Sequence, residues 1–145
     1  MRIPSICLLL LAATLAAFSA DETAANLAAQ ADSSALDQQP DLYVKAAHLQ
    51  LKTVDALYNQ GNAEEAASAM RLLSEYSDKA TDSAVHSGKK LKRAEIEIRK
   101  IATRLSNIQH GLSFDDQAPV KATVEHLEVL RTRLLDRMFS KDKKK

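Results

Sequence analysis

The chain has 145 residues, 46% hydrophobic, 27% charged and 4% aromatic, with 20 Lys and Arg against 19 Asp and Glu. One domain accounts for about 125 residues left after an N-terminal export segment, and near-neutrality points away from a nucleic-acid polycation. The single cysteine, Cys7, lies inside that segment, so disulfides, thiolate catalysis and cysteine metal sites are excluded from the mature chain.

Residues 1–19 read as a cleaved signal peptide. Arg2 precedes an apolar run from Ile6 to Ala17, and small residues follow at Ala17 and Ser19. The expected location is the periplasm or the extracellular space, with an N-terminal membrane anchor as the alternative if the signal is retained. Residues 20–39 are mostly Ala, Asp, Gln and Ser, with Leu27 and Leu36 as the only large aliphatic groups. So little apolar surface predicts a flexible linker.

A helical domain is expected over 40–140. Pro40 and Asp41 open its first helix. Val44, Ala47, Leu51, Val54 and Tyr58 share one helical face. Gly61 suits a left-handed helix end. Asn62 with Glu65 offers a capping box for the next helix. From Ala66 to Leu112 a 3–4 rhythm holds without a slip through Met70, Leu73, Ser77, Ala80, Ala84, Ser87, Leu91, Ala94, Ile98, Ile101, Leu105 and Ile108, and only the two serines in it are not apolar.

That rhythm predicts an all-α fold: antiparallel, coiled-coil-like hairpins around one long central helix spanning 63–110. The alternative is a compact four-helix bundle with a break near Gly88. Asp115 or Asp116 caps the last helix, with Pro119 inside its first turn. Val120, Val124, Leu127, Leu130, Leu134 and Met138 form its buried stripe. Residues 141–145 are a basic tail.

The hairpin from Ala56 through Gly61 and Ala66 to Met70 resembles the helix-turn-helix of a tetratricopeptide repeat. The resemblance covers about 15 residues and implies a tight antiparallel helical turn. Val54 and Leu57 stand where that family has a small and an aromatic residue. No second unit recurs at that family's repeat period.

Charge is unevenly spread. Residues 21–65 carry eight acids and two bases; residues 89–104 and 131–145 each carry seven bases and two acids. Separated poles in a balanced chain predict charge matching between helices or between copies. On a continuous helix, Lys89, Arg93, Lys100 and Arg104 share one face. They are the candidate contact for a polyanion or partner. A solvated helix face is the ordinary alternative for such a run. The acidic N-terminal third is one candidate partner; an anionic membrane surface or cell-wall polymer is the other.

No metal site and no cofactor are expected. His48, His86, His110 and His126 lack ligand spacing. Three glycines cannot build a phosphate loop, and no nucleophile motif occurs. The sequence therefore reads as a non-catalytic interaction or scaffold protein of the cell envelope. A polyanion- or membrane-surface-binding module is the second reading. Self-association or another envelope protein is the expected partnership, with no nucleic acid and no small-molecule substrate.

Overall fold

Five helices carry the chain: α1 (Ala24–Asp32), α2 (Gln39–Asn59), α3 (Ala63–Ser87), α4 (Leu91–His110) and α5 (Phe114–Phe139). The structure is a computed structural model and describes residues 22–140. The signal segment 1–19 and the tail 141–145 lie outside the described residues. The fold is all-α, with no strand among the described residues.

The turn from α2 to α3 forms as its sequence dictates. Gly61 adopts φ +77°. The Asn62 amide donates to the Leu57 carbonyl at 2.9 Å and the Gly61 amide to the Tyr58 carbonyl at 3.0 Å. This double bond pattern satisfies the last carbonyls of α2 and reverses the chain. Asn62 begins α3, but its side chain makes no capping hydrogen bond. The expected capping box does not form.

The expected long central helix is broken. α3 stops at Ser87, Gly88 takes φ +67°, and Lys90 takes φ +60° before α4 begins. Two left-handed residues within three turn the chain back. The apolar rhythm crosses the break because Ala84 and Leu91 lie two helical turns apart in number, although each faces the core from a separate helix. Constant spacing is thus compatible with a reversal as well as with a rod. The alternative of a bundle broken near Gly88 holds.

The pairing across helices fixes the topology. Asp41 meets Lys90 and Arg93, His48 meets Glu97, and Asp55 meets Arg104, so α2 and α4 run parallel. Asp78 meets His126 and Asp82 meets Arg133, so α3 and α5 also run parallel. Two antiparallel hairpins, α2–α3 and α4–α5, lie side by side. The molecule therefore has two layers, α2 with α4 and α3 with α5.

The hairpins repeat each other. Pro40, Tyr43, Val44, Ala47, Gln50, Leu51 and Val54 are buried in α2, and Leu91, Ala94, Glu95, Ile98, Ile101, Ala102 and Leu105 occupy the positions 51 residues later in α4. Ala66, Leu73, Tyr76 and Ala80 of α3 correspond in the same way to Val120, Leu127, Leu130 and Leu134, 54 residues later. The three extra residues add about one turn at the start of α5. Phe114 projects there and is 89% exposed. This early start also puts Pro119 inside α5 rather than in its first turn. Ser113, not Asp115 or Asp116, is the N-cap residue.

Residues 20–39 are not a linker throughout. The Thr23 hydroxyl accepts from the Asn26 amide at 3.1 Å and caps α1. Leu27, Ala28 and Ala31 of α1 are buried. Alanine is the best helix former, and its small side chain lets α1 approach α2 closely. The Tyr43 hydroxyl donates to the Asp32 carboxylate. Lys79 of α3 sits 5.6 Å above the Tyr43 ring and 3.8 Å from Asp32. Tyr43 lies about half a turn of circumference from Asp41, so α1 and α4 occupy opposite flanks of α2. One apolar core joins residues from all five helices.

Candidate functional site

The layer built from α2 and α4 separates its charges by depth. Nine cations belong to α2, α4 and the turn before α4: Lys45, Lys52, Lys89, Lys90, Lys92, Arg93, Arg99, Lys100 and Arg104. All nine are exposed. Four carboxylates belong to the same elements: Asp41, Asp55, Glu95 and Glu97. None is exposed, and Glu95 is buried. The layer carries a formal charge of +5, from nine bases and four acids, and its bases stand out in solvent while its acids are recessed, with side chains 9–31% exposed. The α3–α5 layer holds six bases and ten acids, and seven of the acids are exposed.

The recessed carboxylates stitch the seam between α2 and α4. Asp41 accepts from Lys90 at 2.9 Å and lies 3.2 Å from the Arg93 guanidinium. Asp55 accepts from Arg104 at 2.7 Å. Midway, His48 Nε2 lies 2.8 Å from Glu97, which also accepts from Lys100 at 2.9 Å. The Lys100 hydrogen bond holds the Glu97 carboxyl below its ordinary value; burial opposes this and the His48 contact reinforces it. Members recur at seven-residue spacing on both helices, so one side of each helix meets the other along its length.

Of the four basic residues singled out in the sequence, Arg93, Lys100 and Arg104 stand on α4. Lys89 does not share their helix. It lies in the turn between α3 and α4, where its amide donates to the Ser87 hydroxyl at 3.1 Å. Arg93 and Arg104 each pair with an aspartate of α2, while Lys100 pairs within α4. All three keep more than half of their side-chain surface in solvent. The acidic N-terminal third thus supplies partners within the same chain, and the basic face remains exposed above them.

Lys92, a member of the basic run 89–104, joins this layer from α4, and Lys45 and Lys52 of α2, which the sequence did not single out, join it as well. The signal was present in part: Lys45 and Lys52 are seven residues apart and share one side of α2. Nothing in the linear order says that α2 lies beside α4. The basic run at 131–145 behaves differently. Within the described residues, Arg131 grips Glu95 at 2.8 Å, Arg133 meets Asp82 at 2.8 Å, and Arg137 donates to the Val85 carbonyl at 3.2 Å.

The histidines do not converge. His48 lies in the α2–α4 seam, His126 lies 2.7 Å from Asp78 in the α3–α5 seam, and His86 contacts the Asp82 carbonyl. No cluster of potential metal ligands occurs among the described residues. A groove of about 440 Å³ runs between α3 and α5 over Met70, Ala67, Pro119 and Thr123. Its rim charges, Arg71, Glu75 and Asp78, have mixed sign. Along α4 itself, two shallow depressions flank Ile96, and cationic stems form their walls. No described helix is long and apolar enough to cross a membrane.

Comparison with protein-family models, with curated proteins and with solved structures finds no match for this chain.

Proposed function

We propose that this protein is an exported, non-catalytic helical interaction module of the cell envelope, and that the outer face of the α2–α4 layer is its working surface. One observation carries this reading: every cation of that layer is exposed while every carboxylate is recessed. Solvation alone requires charge on the surface, but it does not require charge of one sign. Like charges gathered on one side repel, and the recessed Asp41, Asp55 and Glu97 relieve that repulsion from beneath. The surface so produced attracts an anionic partner, at a rate that falls as salt rises.

Photo-crosslinking in the producing cell tests this. A crosslinkable residue is placed at Lys92 in one version and at Glu125, in the opposite layer, in another. Capture from position 92 that salt suppresses, without capture from position 125, is the expected result. Capture from position 125 alone, or from neither, overturns the reading. Export is tested separately: N-terminal sequencing of envelope material should begin at Ala20 or Asp21.

A second reading, a self-associating scaffold, rests on α5. Phe114, Val129 and Phe139 are 89%, 58% and 62% exposed. Helical geometry puts them within an arc of about 80° on one side of α5. Exposed large apolar groups aligned on one helix mark contact surfaces. Sedimentation of the triple serine variant beside the parent chain tests it. Loss of a dimer supports the scaffold, and a monomer in both removes it.

A further inference from the structure

The anionic partner has a shape, and the arrangement of the cations states it. They do not surround a cleft. They lie on two parallel helices whose axes are about 8–10 Å apart. Lys92 and Arg104 are separated by about 18 Å of rise along α4. Lys45 and Lys52 form a second row on α2. Lys45, Lys52 and Lys92 pair with no carboxylate among the described residues, so their charge is free for a ligand.

We infer that the α2–α4 layer docks flat on the anionic headgroups of a lipid bilayer, with Lys45 and Lys52 as full members of the contact. This rests on the reading of that layer as the working surface. A polymer strand needs one row of cations to follow. A two-dimensional array suits a two-dimensional lattice of charge. The opposite layer has a net charge of −4, from six bases and ten acids. An anionic plane therefore attracts one broad face and repels the other, which fixes the orientation. The long lysine and arginine stems and Ile96 lie between the cationic heads, so apolar atoms meet the interface while the charges reach phosphate.

The test uses the full chain and three probes: vesicles of phosphatidylcholine with phosphatidylglycerol, vesicles of phosphatidylcholine alone, and soluble linear polyphosphate. Binding through the apolar residues 1–20 is common to both vesicles and drops out of the comparison. The expected result is tighter binding to the anionic vesicles that weakens with salt. The double variants Lys45→Gln/Lys52→Gln and Lys92→Gln/Arg99→Gln should each weaken that binding by roughly ten- to thirtyfold, in line with the attraction per cation near an anionic leaflet. Unchanged helicity and urea midpoint establish that both variants are folded.

Four outcomes overturn the inference. Equal binding to both vesicle types removes the lipid partner. Loss confined to the Lys92/Arg99 variant, with the Lys45/Lys52 variant within about twofold of the parent, shows a single row at work. Polyphosphate binding without vesicle binding keeps the working surface and replaces the bilayer by a strand. If neither probe binds, the working-surface reading falls as well.

Discussion

The two layers of this molecule use similar charged residues to opposite effect. In the α2–α4 layer three of the four acids, Asp41, Asp55 and Glu97, are placed at the seam, where they serve as partners beneath exposed bases. In the α3–α5 layer two of the four arginines turn inward, Arg131 to Glu95 and Arg137 to the Val85 carbonyl, and most of the acids face solvent. The sign of a surface is therefore set by which member of each pair is recessed. A balanced chain acquires a cationic side and an anionic side without a large net charge. The hairpins also differ in how they tie the layers together. In the first hairpin α1 assists, through Asp32, Tyr43 and Lys79. In the second, Glu95 of α4 is held directly by Arg131 of α5.

The most severe way to break the comparison is to cut the core that joins both layers. Ile98 in one layer and Leu127 in the other are fully buried. Ile98→Ala and Leu127→Ala should each cost about 2–5 kcal/mol. Urea unfolding followed by circular dichroism should show one transition in both cases. A surviving half-transition would mean that the hairpins fold independently.

The tie of the second hairpin comes next. Glu95 has a side-chain exposure of 9% and accepts two guanidinium hydrogen bonds from Arg131, at 3.0 and 2.8 Å. Glu95→Ala leaves that guanidinium with Glu128 alone. The cost should be about 1–3 kcal/mol, the range for a buried charged hydrogen bond, read as a lower urea midpoint.

The tie of the first hairpin is tested by alkali. Burial, and then the hydrogen bond to Asp32, push the Tyr43 hydroxyl up to about 12. A group whose value is raised on folding contributes stability below its unfolded value of 10.0 and loses it as pH rises through the folded value. Stability should therefore fall by of order 2 kcal/mol between pH 10 and 12. Tyr43→Phe should flatten this slope. Tyr58 and Tyr76 are raised in the same direction and leave a residue of it. A parent chain with no loss of stability over that range would sink the assignment.

A smaller effect sits at the reversal between the hairpins. Gly88→Ala should cost about 1 kcal/mol, because an L side chain is strained at φ +67°. In an unbroken helix the same change would raise stability by up to ~1 kcal/mol. The sign of the shift in thermal midpoint separates the two.

The smallest effect belongs to the seam of the cationic layer. Asp55→Asn breaks a pair with Arg104, whose side chain is 58% exposed. It should change stability by less than ~1 kcal/mol while making the layer more positive. Elution from a cation exchanger should therefore move to higher salt with almost no change in urea midpoint.

The helices themselves were legible because local rules decide them. The 3–4 rhythm located the buried stripes of α2 to α5, and Gly61 marked its turn. The all-α class follows from those stripes alone. Local rules failed where the deciding contact was remote. The Ala-rich stretch before Gln39 is a helix only because α2 offers Tyr43 and a close flank against which Ala28 and Ala31 can pack. Two leucines, Leu27 and Leu36, gave no sign of that. The seam through Gly88 kept its phase because period records which residues are apolar, and it carries no information about direction after a left-handed turn. The candidate surface was half legible: Arg93, Lys100 and Arg104 share α4 in sequence and in structure, whereas Lys45 and Lys52 reach them only by lying on a parallel neighbour.

By itself the sequence determined that the stretches forming α2 to α5 are helical and which side of each is apolar, because propensity and burial act within a few residues. Only the tertiary structure decided that the hairpins lie side by side with α2 and α4 parallel. That choice depends on contacts between residues about fifty positions apart. It alone puts Asp41 and Asp55 under the arginines of α4, and so leaves the cations of that layer facing outward together.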